Sequence, residues 1–300
     1  MAAFVLVLIA RRGEIQALAE AVEFVRARTD AGEVTWLARD EACEIALEAA
    51  DIAAARAVRD AIAARLRGLP VDVCVVAAEG RRKSLLIADM DSTIIQQECI
   101  DEMADVLGLK PKIAAITERA MRGELPFEAA LTERLALLAG LAEGDLQRVF
   151  DERVTLMPGA RTLVATMRAA GAFTALVSGG FSFFTSRVAA AVGFDVDRAN
   201  TLEVVDGLLT GRVVGPILGR EAKLAALEFY RGERGLGAAA TMAVGDGAND
   251  LAMVKAAGLG VAYRAKPVVA AEAHAGITHG DLTALLYLQG YARKEFANGG

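Results

Sequence analysis

Two acidic clusters stand where carboxylates can do chemistry. Asp89-Met90-Asp91-Ser92-Thr93 follows the apolar run Leu85 to Ala88, and Gly245-Asp246-Gly247-Ala248-Asn249-Asp250 follows Thr241 to Val244. Alternation along an extended segment puts Asp89 and Asp91 on one side and Met90 on the other. Carboxylates crowded in this way repel unless a cation or a shared proton offsets them. A divalent metal with oxygen ligands is one resolution. The other is a division of labour, one carboxylate nucleophilic and one protonated as an acid. Each cluster taken alone also fits a solvated turn rich in Asp, Ser, Thr and Gly. Two acidic strand-end loops in one sheet can converge on a hard cation such as Mg²⁺.

Two further features carry less weight alone. Ser178-Gly179-Gly180 follows the strand Phe173 to Val177 and precedes a helix expected from about Phe181. A hydroxyl with glycine amides at a helix N-terminus can cradle an anion such as phosphate, although Ser-Gly-Gly also serves as a plain connection. Lys223 lies at a helix start, where a single lysine is ordinarily a solvated surface residue.

The elements that must position these residues alternate between strand and helix from Leu85 onward, which implies a parallel sheet with βαβ crossovers. Strands are expected at Leu85 to Ala88, Phe173 to Val177, Thr241 to Val244 and Leu259 to Ala262. The helical stretch from Gln97 to Arg153 exceeds one crossover and is broken at Lys110-Pro111, Leu125-Pro126 and Gly140. It reads as an inserted helical bundle over about 97–155. Asp206-Gly207, between Thr201 to Val205 and Leu208 to Val214, signals a hairpin.

Residues 1–80 read as a separate unit. Strand Phe4 to Ile9, helix Glu14 to Arg28, segments Glu33 to Ala38 and Cys43 to Glu48, helix Asp51 to Leu66 and strand Val71 to Ala77 give the order βαββαβ. That order predicts a ferredoxin-like α+β fold, with an antiparallel sheet and both helices on one face, and Trp36 packed inside it. A charged linker over Glu79 to Lys83 leads into residues 81–300.

The composition bounds the function. A chain of 300 residues suits about two domains at roughly 150 residues each. Hydrophobic types at 54% exclude a disordered chain. A net charge of −6 argues against broad electrostatic binding to nucleic acid or to an anionic membrane. Cys43, Cys74 and Cys99 are spaced neither for zinc nor for a disulfide framework, which suits a reducing compartment, and Cys99 reads as a buried thiol. The apolar run Phe4 to Ala10 is too short to span a membrane and is followed, not preceded, by Arg11-Arg12. A soluble cytoplasmic protein is expected. His274 and His279 are read as loop or surface residues.

The ordered set Asp89 to Thr93, Gln97 to Glu102, Val177 to Phe181, the Asp206-Gly207 hairpin, Lys223 and Gly245 to Met253 covers some 165 residues. It resembles the haloacid dehalogenase superfamily of phosphohydrolases, and within it the members that dephosphorylate O-phosphoserine. The resemblance implies a Rossmann-like parallel-sheet core and hydrolysis of O-phosphoserine, the last step of serine biosynthesis. Asp89 would be the nucleophile that becomes an aspartyl phosphate, and Asp91 the acid and then the base. Mg²⁺ would be held by Asp89, the Asp91 carbonyl and Asp246, with Asp250 in support. Ser178, Gly179 and Lys223 would stabilise the transferred phosphoryl group, and Asn249 would support the same site. The resemblance also makes the helical insert at about 97–155 a cap, which would supply Glu98 for the substrate ammonium and Arg134 for its carboxylate, with Arg119, Arg122 and Arg153 as rivals to Arg134. A phosphotransferase, or a phosphatase for another small phosphorylated substrate, uses the same core. The first unit resembles ACT-type domains, which implies an amino-acid-sensing module or a homodimer contact.

Overall fold

The computed structural model describes residues 2–27, 33–121 and 124–298; Arg122, and Arg28 at the end of the first expected helix, lie outside them. The chain opens with β1 (Ala2–Ala10), α1 (Ile15–Arg26), β2 (Val34–Ala38), β3 (Ala42–Ala49), α2 (Ile52–Arg65) and β4 (Val71–Ala77). The four strands form one antiparallel sheet in the order β2-β3-β1-β4. Alternation along β1 explains its unbroken apolar run. Leu6, Leu8 and Ala10 pack with Leu18, Val22 and Val25 of α1 and Ile62 of α2, so both helices cover one face. Val5, Val7 and Ile9 point the other way, into a core shared with Leu282, Leu285 and Tyr287 near the chain's end. Trp36 is not packed inside this unit: it stands 40% exposed on β2, which lies at a sheet edge with one neighbour.

The second sheet begins at β5 (Leu85–Ala88). Four helices follow, α3 (Cys99–Val106), α4 (Lys110–Met121), α5 (Phe127–Ala136) and α6 (Glu143–Arg153), before α7 (Ala160–Ala169) returns the chain to the sheet. Pro111 sits in the first turn of α4 rather than in a break, where its missing N–H costs no helical bond. Then come β6 (Phe173–Phe181), α8 (Ser182–Val192), β7 (Val196–Val205), β8 (Leu208–Val214), α9 (Arg220–Glu233), β9 (Thr241–Gly245) and α10 (Leu251–Ala256). The chain ends with β10 (Leu259–Tyr263), α11 (Pro267–Glu272), β11 (Ala275–Ile277) and α12 (Ala284–Leu288). The order β11-β10-β9-β5-β6-β7-β8 is parallel except for the β7–β8 hairpin. β5, at the centre, is buried along its whole length, as expected of a strand covered on both faces.

The hairpin turns on Asp206 and Gly207, both at positive φ (49° and 77°), the backbone that an Asp-Gly pair supplies cheaply. Gly207 O accepts from Glu143 N–H at 2.9 Å and Leu141 O accepts from Leu209 N–H at 2.8 Å, so the hairpin braces the helical insertion. Sequence periodicity missed the first half of β7 and all of β11. Asp197 and Asn200 break the apolar pattern of β7, and each is satisfied inside the fold: Asp197 accepts from Thr185 and Ser186, and Asn200 donates to Gly179 O.

Candidate active site

The carboxyl ends of β5, β6 and β9 meet at the middle of the parallel sheet, where ligands of open α/β sheets bind. β5 ends at Ala88 and delivers Asp89 and Asp91; β9 ends at Gly245 and delivers Asp246 and Asp250. Gly245 is required there, because a Cβ on it would lie 2.3 Å from Asp250 Cγ. Ser178 and Gly179 come from β6, which runs on to Phe181 before α8 begins. The helix expected from about Phe181 begins at Ser182 with Phe181 as its N-cap, while Ser178 to Gly180 remain in the strand and Gly180 N–H is taken by Ser178 Oγ at 2.8 Å.

Lys223 is not a surface residue. Its ammonium is buried and lies 2.6 Å from Asp89 Oδ1 and 2.6 Å from Asp250 Oδ1. Burial alone would depress its pKa, but Asp250 and Asp89 outweigh burial and hold the pKa above the usual lysine range. Asp89 Oδ1 also accepts from Met90 N–H at 2.8 Å, while Oδ2 has no hydrogen bond among the described residues. Burial, with Asp250 beside it, raises the Asp89 pKa well above the carboxylate norm. Asp250 is fully engaged, its Oδ2 accepting from the N–H groups of Asp246 (3.2 Å) and Gly247 (3.0 Å).

Among the described residues Asp89, Asp246 and Asp250 present carboxylate oxygens within 4.8 Å of one another. Three carboxylates against one ammonium leave two negative charges. Burial and then Asp250 push Asp246 up to about 6, against the opposing charges of Lys266 and Lys223. Hard oxygen donors with a deficit of two charges fit a divalent cation. Asp89 and Asp246 have oxygens to offer it; Asp250 is spent on Lys223 and the backbone.

Asp91 has a different setting. Its Oδ1 accepts from Cys99 N–H at 2.9 Å, and Ser178 Oγ lies 3.3 Å from Oδ2. Burial and the nearby Glu98 push its pKa up to about 7, so the proton it holds is available near neutrality. The Cys99 thiol is buried, as expected.

A cavity of about 530 Å³ joins these groups to the helical insertion. Asp89, Asp91, Ser178, Gly179, Asp246 and Asn249 form its floor, and Glu98 and Arg134 line it from the insertion. Arg134 is held by Ala130 O (3.2 Å) and Thr117 Oγ1 (3.4 Å). Of its rivals among the described residues, Arg119 pairs with Glu133, and Arg153 with Glu102 and Asp105. Lys223 and Asp250 lie beneath the cavity rather than in its wall. Sequence reasoning missed Phe127, Arg220 and Lys266, which also line it. Phe127 Cζ would lie 3.1 Å from a Cβ on Gly179, a closeness that no local pattern announces.

Residues 86–255, which carry this floor, match the family of haloacid dehalogenase-like hydrolases. The chain belongs to that family. It is 46% identical over 200 residues to the phosphoserine phosphatase of Streptococcus thermophilus, a match spanning 67% of this chain and 93% of that protein. It is also 46% identical over 240 residues to the phosphoserine phosphatase of Streptomyces coelicolor, covering 79% of this chain but only 58% of that longer protein. Along nearly its whole length it superposes on a HAD family hydrolase from Salmonella enterica, with a TM-score of 0.82, 30% identity, and coverage of 95% and 98% of the two chains. Among the described residues no helix is long and apolar enough to cross a membrane.

Proposed function

We propose that the chain is a Mg²⁺-dependent phosphatase that hydrolyses O-phosphoserine to serine and phosphate through an aspartyl-phosphate intermediate. The observation that carries this reading is the shared cavity, in which a carboxylate and a guanidinium of the insertion, Glu98 and Arg134, face the Asp89–Asp91 pair. A phosphate ester bearing an ammonium and a carboxylate is complementary to that set. Phosphoserine phosphatases among its relatives support the same choice.

Asp89 attacks phosphorus with the oxygen that Lys223 does not hold. Asp91 gives its proton to the departing serine oxygen, then takes one from the water that cleaves the aspartyl phosphate. A carboxyl group pushed up to about 7 suits both steps. Splitting the hydrolysis replaces one hard displacement by two easier ones. Ser178 and the Gly179 backbone face the equatorial oxygens, and Asn249 supports the same side. Lys223 opposes the rise in the Asp89 pKa and orients the carboxyl group from below. Asp89, Asp246 and the Asp91 carbonyl would hold Mg²⁺, which when bound neutralises phosphoryl charge.

In the same reading residues 1–80 form a ferredoxin-like, ACT-like domain. Residues 81–300 form the phosphatase domain, with a cap inserted at about 97–155 that closes over the substrate. The antiparallel order β2-β3-β1-β4 with both helices on one face supports the first assignment. Helices α3 to α6 between β5 and α7 support the second. A second copy would add at the β2 edge that carries Trp36.

The test is phosphate release from O-phosphoserine, phosphothreonine and a sugar phosphate, with Mg²⁺ or with chelator. Turnover of phosphoserine is expected with Mg²⁺ alone, none in Asp89→Asn, and loss of the preference for amino acid phosphates in Glu98→Ala. An active Asp89→Asn variant, or a preference unchanged by Glu98→Ala, sinks the reading.

A further inference from the structure

We infer that the seam between the first sheet and the core holds a second binding site, for a small aliphatic carboxylate. A cavity of about 210 Å³ opens there, walled by Phe4 of β1, Val75 of β4, Leu259 of β10 and Leu288 of α12. Both halves of the chain contribute, and none of the residues assigned to hydrolysis lies in the wall. The inference is therefore independent of the chemistry at the first site.

The polar lining is basic. Arg56 comes from α2, Arg81 and Lys83 from the segment joining β4 to β5, and His274 from the turn before β11, with Glu79 on the exposed rim. Arg81 is satisfied within the fold, pairing with Glu44 at 2.8 Å and donating to the carbonyls of Leu288 and Tyr287. The others are not. Lys83 Nζ donates to two carbonyls, Gly80 O and Ala239 O, each at 2.8 Å, and meets no counter-ion among the described residues. Arg56 Nε is buried without a hydrogen-bond partner, and the guanidinium pairs with no carboxylate among the described residues. A guanidinium without a counter-ion leaves its charge for an incoming anion to pair.

His274 fixes where that acceptor belongs. Its Nδ1 accepts from Gly260 N–H at 2.8 Å, so the ring is neutral with its proton on Nε2. Nε2 donates to no group among the described residues. Burial, followed by the charges of Arg56 and Lys83, lowers the pKa of the ring, so these cations act on one small volume. A carboxylate offers two acceptor oxygens, one for the Arg56 fork and one for His274 Nε2–H. Its alkyl body meets Phe4, Val75, Leu259 and Leu288. An inorganic dianion would leave that apolar wall unused and lose more hydration.

Calorimetric titration of the full chain with isovalerate is expected to give a saturable one-to-one isotherm. Arg56→Gln should weaken it at least tenfold. Ile52→Trp, at the exposed mouth of the cavity (41% exposed), should abolish it without touching a buried charge. Glu98→Gln, in the other cavity, should leave it unchanged. Inorganic phosphate should bind without dependence on Arg56. The inference fails if isovalerate shows no saturable uptake, or if uptake survives both Arg56→Gln and Ile52→Trp. It fails equally if phosphate displaces isovalerate competitively at a site that needs Arg56.

Discussion

Gln97 and Thr155 clasp each other: Gln97 Oε1 accepts from Thr155 N–H at 2.9 Å while its Nε2 donates to Thr155 Oγ1 at 2.8 Å. They stand on the two chain crossings between the sheet and the helical insertion, beside the Gln96 N–H to Thr155 O bond and the Ile95–Leu156 bridge. The closure proposed for the insertion would bend this short two-stranded joint. Gln97→Ala removes both side-chain bonds and leaves the backbone pairing. At about 1 kcal/mol per bond, it should lower stability by roughly 1–2 kcal/mol. KM for the phosphomonoester should rise more than kcat falls, because a looser joint costs closure before it costs chemistry. Thr155 amide exchange should speed up; unchanged exchange with an unchanged KM would remove the joint from the closure.

Lys223 makes a harsher prediction. Its ammonium sits between Asp89 and Asp250 with about 1% exposure. Lys223→Met keeps the shape but strands two buried carboxylates, and breaking a buried pair from one side costs about 3–5 kcal/mol. Turnover should vanish and the urea midpoint should drop by that scale. Lys223→Arg keeps the charge and should recover stability better than activity, since the wider fork cannot meet two single oxygens at 2.6 Å. A Lys223→Met variant with near-normal stability would mean that the carboxylates find compensation elsewhere.

Lys223 also marks the limit of what could be read in the sequence. In one dimension it is a lone lysine among Arg220, Glu221 and Ala222; its meaning lies in two carboxylates 134 and 27 positions away. The central strands were legible because burial on both faces demands unbroken apolar runs, as in Leu85 to Ala88 and Leu259 to Ala262. The Asp206-Gly207 turn was legible because its backbone selects those residues. Asp89, Asp91 and Asp246 stood out because two acidic strand-end loops in one parallel sheet can converge on a hard cation. The start of β7 was hidden, since satisfied polar side chains imitate a loop. The seam was hidden as well: Asp72 of β4 is tied to residues 278–280, a pairing across some 200 positions that no periodicity encodes.

His274 gives a pH dependence with a definite sign. Its Nδ1 accepts a backbone N–H, so protonation would set a proton against a donor. Burial, Arg56 and Lys83 lower its pKa in the fold. In the unfolded chain it titrates near the ordinary histidine value of about 6.5. Below that pH the unfolded state binds the extra proton first, so this contribution to stability is full near pH 7 and is lost as the pH falls toward 5. His274→Gln keeps an acceptor oxygen without the titration. Urea midpoints at pH 7 and pH 5 should differ less in the variant than in the parent chain; an equal difference would show that His274 contributes nothing to the slope.

Asp72 supplies the last test, on how the two sheets are held together. Its carboxylate is buried at 5% exposure. Oδ1 accepts from Thr278 N–H at 2.8 Å, Oδ2 from Gly280 N–H at 2.8 Å, and His279 N–H is shared between the oxygens at 3.2 and 3.0 Å. Burial raises the pKa of this group while the three amides oppose the rise. Beside it, Cys74 Sγ reaches Gly276 O at 3.5 Å, so β4 is fastened to the β11 edge of the parallel sheet by polar contacts as well as by the shared apolar core. Asp72→Ala strands three backbone donors at about 1–3 kcal/mol each if none finds water. A total loss of about 3–5 kcal/mol is expected once water reaches part of the gap. Because Asp72 lies outside the catalytic cavity, kcat should stay within about twofold of the parent value at 25 °C. Urea unfolding should broaden or split as the first sheet separates before the second. A single sharp transition at the parent midpoint would show that the apolar contacts of Val5, Val7 and Ile9 hold the seam unaided.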